Sequence, residues 1–185
     1  MTRKFRTLFA ILAALVATAA LAACTAMGPV RTTTVDSVDP ERYLGTWYEV
    51  GSVKQFFSVG LVNVTANYQH NPDGTIRVEN RGEYFTDGGP ESRIVGSAAA
   101  VDETFSKLNV TFVGTAQPNP PGNYWIVALD EDYQWAVVSD PTGTSAFFLS
   151  RTPQVSDEQY QEFLDLAAEA GVQTSGITPT PQFAD

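Results

Sequence analysis

The chain of 185 residues contains one cysteine and one histidine. A single thiol excludes an internal disulfide and any thiolate metal cluster, and a single imidazole removes the usual zinc and histidine-based catalytic constellations. Cations are also scarce, with 11 Lys and Arg against 21 Asp and Glu and a net charge of −10. Tracking a phosphate backbone needs clustered Lys and Arg, so nucleic acid is not expected as a partner. No G-x-S-x-G elbow, H-E-x-x-H pair or Gly-rich phosphate loop occurs. Asp130-Glu131-Asp132 lacks the ligand spacing of an EF-hand and reads as a solvated turn, as does the environment of His70 beside Asn71-Pro72. Neither a metal nor a cofactor is expected, and enzyme activity is not.

Long hydrophobic runs are missing too. The longest, Leu8 to Ala23, has 16 residues, short of the about 20 that span a bilayer. With Arg3, Lys4 and Arg6 before it, this run has the layout of an export signal. It ends in Leu21-Ala22-Ala23-Cys24, which resembles the bacterial lipobox. That resemblance implies cleavage before Cys24, a diacylglyceryl thioether on its sulfur and an acylated amino group. More than one acyl chain gives stable anchoring where a single chain binds only marginally. Removing residues 1–23 takes away three cations and leaves 162 residues with a net charge of about −13, too acidic to adhere to anionic lipid unaided. Cys24 to Val38, rich in Thr with Gly28-Pro29, reads as a lipidated leash, and residues 39–185 as one globular domain of ordinary apolar and aromatic content.

The domain alternates with a period of two. Val62, Val64, Ala66 and Tyr68 share one face, with Asn63, Thr65, Asn67 and Gln69 on the other. After Asn71-Pro72-Asp73-Gly74 the pattern restarts at Ile76, Val78 and Asn80. Further strands are predicted over Gly45 to Val53, Arg93 to Ala100, Lys107 to Gly114, Asn123 to Leu129, Tyr133 to Ser139 and Ser145 to Arg151, separated by Gly, Pro and acidic clusters. Eight strands with short links must pair antiparallel, up and down, and closing them into a barrel removes exposed edges. A barrel of eight strands is filled by side chains or holds one small ligand. A helix follows, with Ser156 as N-cap, Gln159 as its capping-box partner and Tyr160, Phe163, Leu164 and Ala167 as one apolar stripe ending at Gly171. It is expected to pack outside the barrel, and the tail after Gly176 to be extended.

Gly45-Thr46-Trp47-Tyr48-Glu49 resembles the G-x-W signature of the lipocalins. Asp130 to Pro141 resembles their second motif, and Leu149-Ser150-Arg151-Thr152-Pro153 their third. The three occur in order, and the wording is most similar to the bacterial outer-membrane lipocalins and their apolipoprotein D-like relatives. The resemblance spans about Asp39 to Gly171 and implies that Gly45, Trp47 and Arg151 are structural, the guanidinium stacking on the indole that plugs one end. If Trp47 points inward, parity turns Glu49, Gly51 and Val53 inward as well. A carboxylate inside must find partners, so Glu49 is either a polar anchor for a ligand or internally satisfied.

Carried strand by strand, the resemblance implies a cavity wall of Val64, Ala66 and Tyr68; Val78, Asn80 and Tyr84; Ile94, Gly96 and Ala98; Val110 and Phe112; Tyr124 and Ile126; Ala136 and Val138; and Phe147 and Leu149. The small residues Ala66, Gly96, Ala98 and Ala136 are expected to leave room. Such a mixture of apolar wall and polar tips suits an amphipathic lipid, a fatty acid or lysophospholipid, bound by a protein tethered to the envelope. Thr25 after Cys24 points to the outer membrane of a two-membrane bacterium, or to the outer face of the cell membrane where there is only one. Two alternatives stand beside the carrier. One is an enzyme acting on a lipophilic substrate, using Glu49 with Tyr68 or Tyr84; the other is an interaction module with a filled barrel. The apolar loop Phe56 to Leu61 at the expected open end is a lid, a membrane-touching lip or a homodimer contact.

Overall fold

A computed structural model describes residues 29–183; the lipobox and Cys24 lie outside the described residues. A short helix α1 (Pro40–Tyr43), capped by the Asp39 carboxylate, leads into eight strands. These are β1 (Gly45–Val53), β2 (Leu61–His70), β3 (Ile76–Tyr84), β4 (Glu91–Ala100), β5 (Lys107–Thr111), β6 (Tyr124–Leu129), β7 (Trp135–Ser139) and β8 (Ala146–Ser150). Each pairs antiparallel with its sequence neighbour, and β8 and β2 both pair with β1, so the sheet closes. The barrel expected from the period-two pattern is therefore present. The turns β1–β2, β3–β4, β5–β6 and β7–β8 share one end, the mouth. Trp47 and α1 close the other, the floor.

Helix α2 (Asp157–Glu169) starts where Ser156 Oγ accepts from the Gln159 amide at 3.2 Å. It lays Phe163 and Ala167, both fully buried, onto the outer face of β6, β7, β8 and β1 against Val137, Phe148 and Val50. The predicted stripe thus packs outside the barrel. Two further features were not foreseen. A ninth strand, β9 (Ile177–Pro179), adds to the outer edge of β1 through Gly51, Ser52 and Val53. In addition, the register slips between Glu49 and Gly51. This bulge turns Val50 and Gly51 outward together, and Val53 follows them into the helix-facing cluster. The parity expectation that Gly51 and Val53 face inward is corrected accordingly, while Glu49 and Ser52 remain buried. Gly51 is glycine because α2 comes so close: a Cβ there would sit 2.8 Å from the Tyr160 hydroxyl.

The leash expected up to Val38 is shorter than its composition implied. From Arg31 the chain is fastened to the body: the amides of Arg31, Thr33, Val35 and Val38 donate to the carbonyls of Pro141, Ala170, Ile126 and Thr104 at 2.8–3.1 Å. Thr32 and Val38 are buried. Arg31 meets the body at the β7–β8 turn, which is organised by Asp140. Its carboxylate accepts from the Thr142 amide at 2.7 Å and from both the amide and the hydroxyl of Ser145 at 2.6 Å. Burial alone pushes this carboxyl up, but the bonds from Ser145 and Thr142 outweigh it and hold it at about 2. On the outer face of β3, Glu79 is likewise held far below the usual carboxylate range by Arg93, Arg77 and Arg81. A folded-state value below the unfolded one adds stability that is complete above about pH 4 and is lost as pH falls toward 2. The urea midpoint is therefore expected to fall between pH 6 and pH 3. Asp140→Asn should lower it at pH 6 and flatten that fall; an equally steep fall in the variant would contradict the assignment.

Candidate ligand-binding site

The lower barrel is filled. Trp47 is fully buried, its indole N–H donates to the Tyr43 carbonyl at 2.8 Å, and the Arg151 guanidinium lies 3.7 Å from its ring centroid. Arg151 also donates to the carbonyls of Thr46, Arg42 and Leu44 at 2.8–2.9 Å and of Tyr133 at 3.3 Å, closing the floor like a clasp. Gly45 has φ +93°, a conformation costly for any residue with a Cβ. The stacking expected of Trp47 and Arg151 is seen, with no cavity contact by either.

Above this floor lies a cavity of about 420 Å³, within the range of small-ligand sites. Its wall includes the predicted Glu49, Val64, Ala66, Tyr68, Val78, Asn80, Val110, Phe112, Tyr124, Phe147 and Leu149. Thr65, Thr111 and Asn123 join them unforeseen; Thr65 enters beside the register slip of β2 between Val62 and Thr65. Seven predicted residues do not line it. Ala98, Ile126, Ala136 and Val138 are fully buried in the core cluster that also holds Trp47, Tyr43 and Tyr68, and so take part in side-chain packing instead of the open wall. Gly96 is filled by its neighbours, since a Cβ would lie 2.3 Å from the Thr111 carbonyl and 2.6 Å from the Phe112 ring. Ile94 is half-exposed because β5 pairs only with Ser97 to Ala100, leaving the upper half of β4 uncovered. Tyr84, at the upper end of β3, lies beside Phe85.

Polar atoms sit at chosen points of this apolar wall. The Tyr124 hydroxyl is 2.8 Å from that of Tyr43 and 2.9 Å from that of Tyr68. Burial raises all three, Tyr68 to about 12, so each stays neutral. Two mutual bonds use two of three hydroxyl protons, and the third remains for an acceptor. Asn80 contributes a buried amide oxygen with no partner. Tyr43 was not foreseen in this group, because α1 is only one turn long and carries no periodic signal.

Glu49 is largely buried, and one of its two carboxylate oxygens is committed to neighbouring side chains. Its Oε1 accepts from Ser52 Oγ at 2.7 Å, Lys54 Nζ at 2.8 Å and Thr180 Oγ1 at 2.6 Å. Thr180 belongs to a strap that runs on from β9. Direct β1–β2 pairing stops at Tyr48 and Thr65, and the strap seals the seam beyond. The Thr180 amide donates to the Val50 carbonyl, and the Asn63 amide to the Pro181 carbonyl. The Gln182 side-chain amide reaches the carbonyls of both Glu49 and Val64 at 2.8 and 2.9 Å. A chain ending at Pro179 loses these bonds and is expected to be about 2–4 kcal/mol less stable in urea unfolding, at about 1 kcal/mol per bond. A loss under about 0.5 kcal/mol, a quarter of the least expected, would show the seam to be closed without the strap.

Residues 38–182 match the lipocalin-like domain family. The chain is a lipocalin. It is 38% identical to outer membrane lipoprotein Blc of Escherichia coli K12 over 170 residues, covering 91% of this chain and 93% of that one. It is also 38% identical to temperature-induced lipocalin-1 of Arabidopsis thaliana, with 80% and 81% covered, and 30% identical to mouse apolipoprotein D, with 80% and 78% covered. Among solved structures, apocrustacyanin C1 superimposes with a TM-score of 0.62 at 15% identity over 85% of this lipocalin and 91% of that chain. That likeness is one of fold.

Proposed function

We propose that this lipocalin is a lipid-anchored carrier that takes one amphipathic lipid, a fatty acid or lysophospholipid, into its barrel. The observation that carries this reading is the open cavity of about 420 Å³ above a plugged floor, with a mainly apolar wall interrupted by Glu49, Asn80, Asn123, Thr65, Thr111 and the hydroxyls of Tyr68 and Tyr124. The mechanism is partition. An acyl chain leaves water or membrane for the wall formed by Val64, Val78, Phe147 and Leu149, gaining about 25 cal/mol per Å² of apolar surface buried, while the polar group stays toward the mouth. Relatives named outer membrane lipoproteins in Escherichia coli and Citrobacter freundii, together with Cys24-Thr25, support acylation at Cys24 and an outer-membrane address, with envelope maintenance under stress as the setting. The commitment of Glu49 to Ser52, Lys54 and Thr180 supports binding over turnover. Delipidated protein titrated with lysophospholipids and fatty acids of graded length is expected to bind one equivalent saturably, tighter with each added methylene until the cavity is full. Absence of saturation with every lipid would refute the carrier.

A further inference from the structure

The most exposed large apolar side chains among the described residues gather on the mouth turns. Phe56 is 92% exposed and Phe57 60% in β1–β2, Phe85 is 78% exposed in β3–β4, and Val113 is 88% exposed in β5–β6. The first two turns are joined, since the Phe85 amide donates to the Gly60 carbonyl at 2.7 Å. Apolar groups collected on one end of a soluble body mark a surface that meets another apolar phase. The fourth mouth turn, β7–β8, is polar and holds Arg31, where the N-terminal segment joins the body.

We infer that the mouth is the membrane-docking face, the three apolar turns dipping into the bilayer that holds the lipid on Cys24. This rests on the reading of Cys24 as acylated. Arg31 lies seven positions beyond Cys24, a reach of at most about 25 Å. Attached at the mouth end, that tether is slack when the mouth meets the membrane and taut along the barrel if the floor does. The body is too acidic to be drawn down by anionic lipid, so the contact is hydrophobic and insensitive to salt. A ligand then passes between bilayer and cavity without crossing water.

The test uses the full acylated protein reconstituted in phosphatidylcholine vesicles. An environment-sensitive dye is placed by Phe57→Cys or Val113→Cys at the mouth, or by Asp73→Cys in the β2–β3 turn at the floor end. Spin-labelled lipid is expected to quench the two mouth positions and spare position 73, equally at low and high salt. Quenching at position 73 alone, or at none, overturns the orientation. Burial of the mouth dyes in the absence of vesicles overturns it in favour of contact with a second copy. Without acylation, the Cys24→Ser chain should bind the same vesicles at least about tenfold more weakly once Phe56 and Phe57 are both changed to Ser, since each buried phenyl ring is worth at least a factor of that order. Unchanged vesicle binding in that double variant also counts against docking. Titrating the labelled proteins with lysophospholipid in solution separates the two readings. Lost ligand binding with retained quenching sinks the carrier and leaves the docking face; the reverse sinks only the docking face.

Discussion

Trp47→Ala is expected to lower the free energy of unfolding by about 3–5 kcal/mol, the usual cost of emptying a fully packed aromatic site. The indole is fully buried in the core cluster of the floor. Tyr43 stacks beside it at 5.0 Å, Ala66 faces it from β2, and Arg151 covers its outer ring face. Nothing nearby can collapse into the space, because the strands around it are fixed by the closed hydrogen-bond ladder. Since a domain of this kind is stable by only about 5–15 kcal/mol, the variant should unfold at much lower urea and bind lipid only where it is still folded. Arg151→Met keeps much of the stem but strands the carbonyls of Arg42, Thr46, Leu44 and Tyr133. It should also be destabilising, and the pair together less than additive, because the two side chains are in contact. A Trp47→Ala loss below about 1 kcal/mol, far under the range for aromatic truncation, would show that the floor is not the keystone of the barrel.

Ala66→Phe should do the opposite, leaving the fold and removing the ligand. Ala66 lines the cavity from β2, opposite Asn80 of β3 and Trp47 of β1. A phenyl ring there occupies space that the proposed carrier gives to an acyl chain. Excluding even two methylenes, at about 0.8 kcal/mol each, weakens binding more than tenfold. Equilibrium titration of the same lipid series checks this, with urea unfolding as the control. Wild-type affinity in a folded Ala66→Phe protein would mean that the lipid sits elsewhere.

The strands were legible because one face of each meets the interior and the other meets water or the helix, so the period of two is written into Val62 to Gln69 and Ile76 to Asn80. The helix was legible from its cap, its stripe and Gly171. What escaped was decided by contacts distant in sequence. The bulge at Glu49–Gly51 leaves no periodic mark; the glycine inside the strand was its one trace, as glycine in a strand marks a bulge or a close approach. Ala98 and Ala136 read as room for a ligand, yet both are fully buried in the core cluster with Tyr43, Trp47 and Tyr68, and residue size alone does not say whether neighbours fill a space. The strap was invisible for a similar reason: Thr180 and Gln182 are ordinary polar residues until β9 delivers them to Glu49, over 130 residues away in the chain.

Native mass spectrometry of the full-length protein purified from the cells that make it tests the cavity most directly. The wild type is expected to carry one non-covalent lipid of a single acyl chain, counted apart from the proposed covalent acylation of Cys24. The Ala66→Phe protein, purified alongside, should carry none. Wild-type protein that is empty, or an Ala66→Phe protein loaded to the same extent, would contradict a lipid held in the barrel.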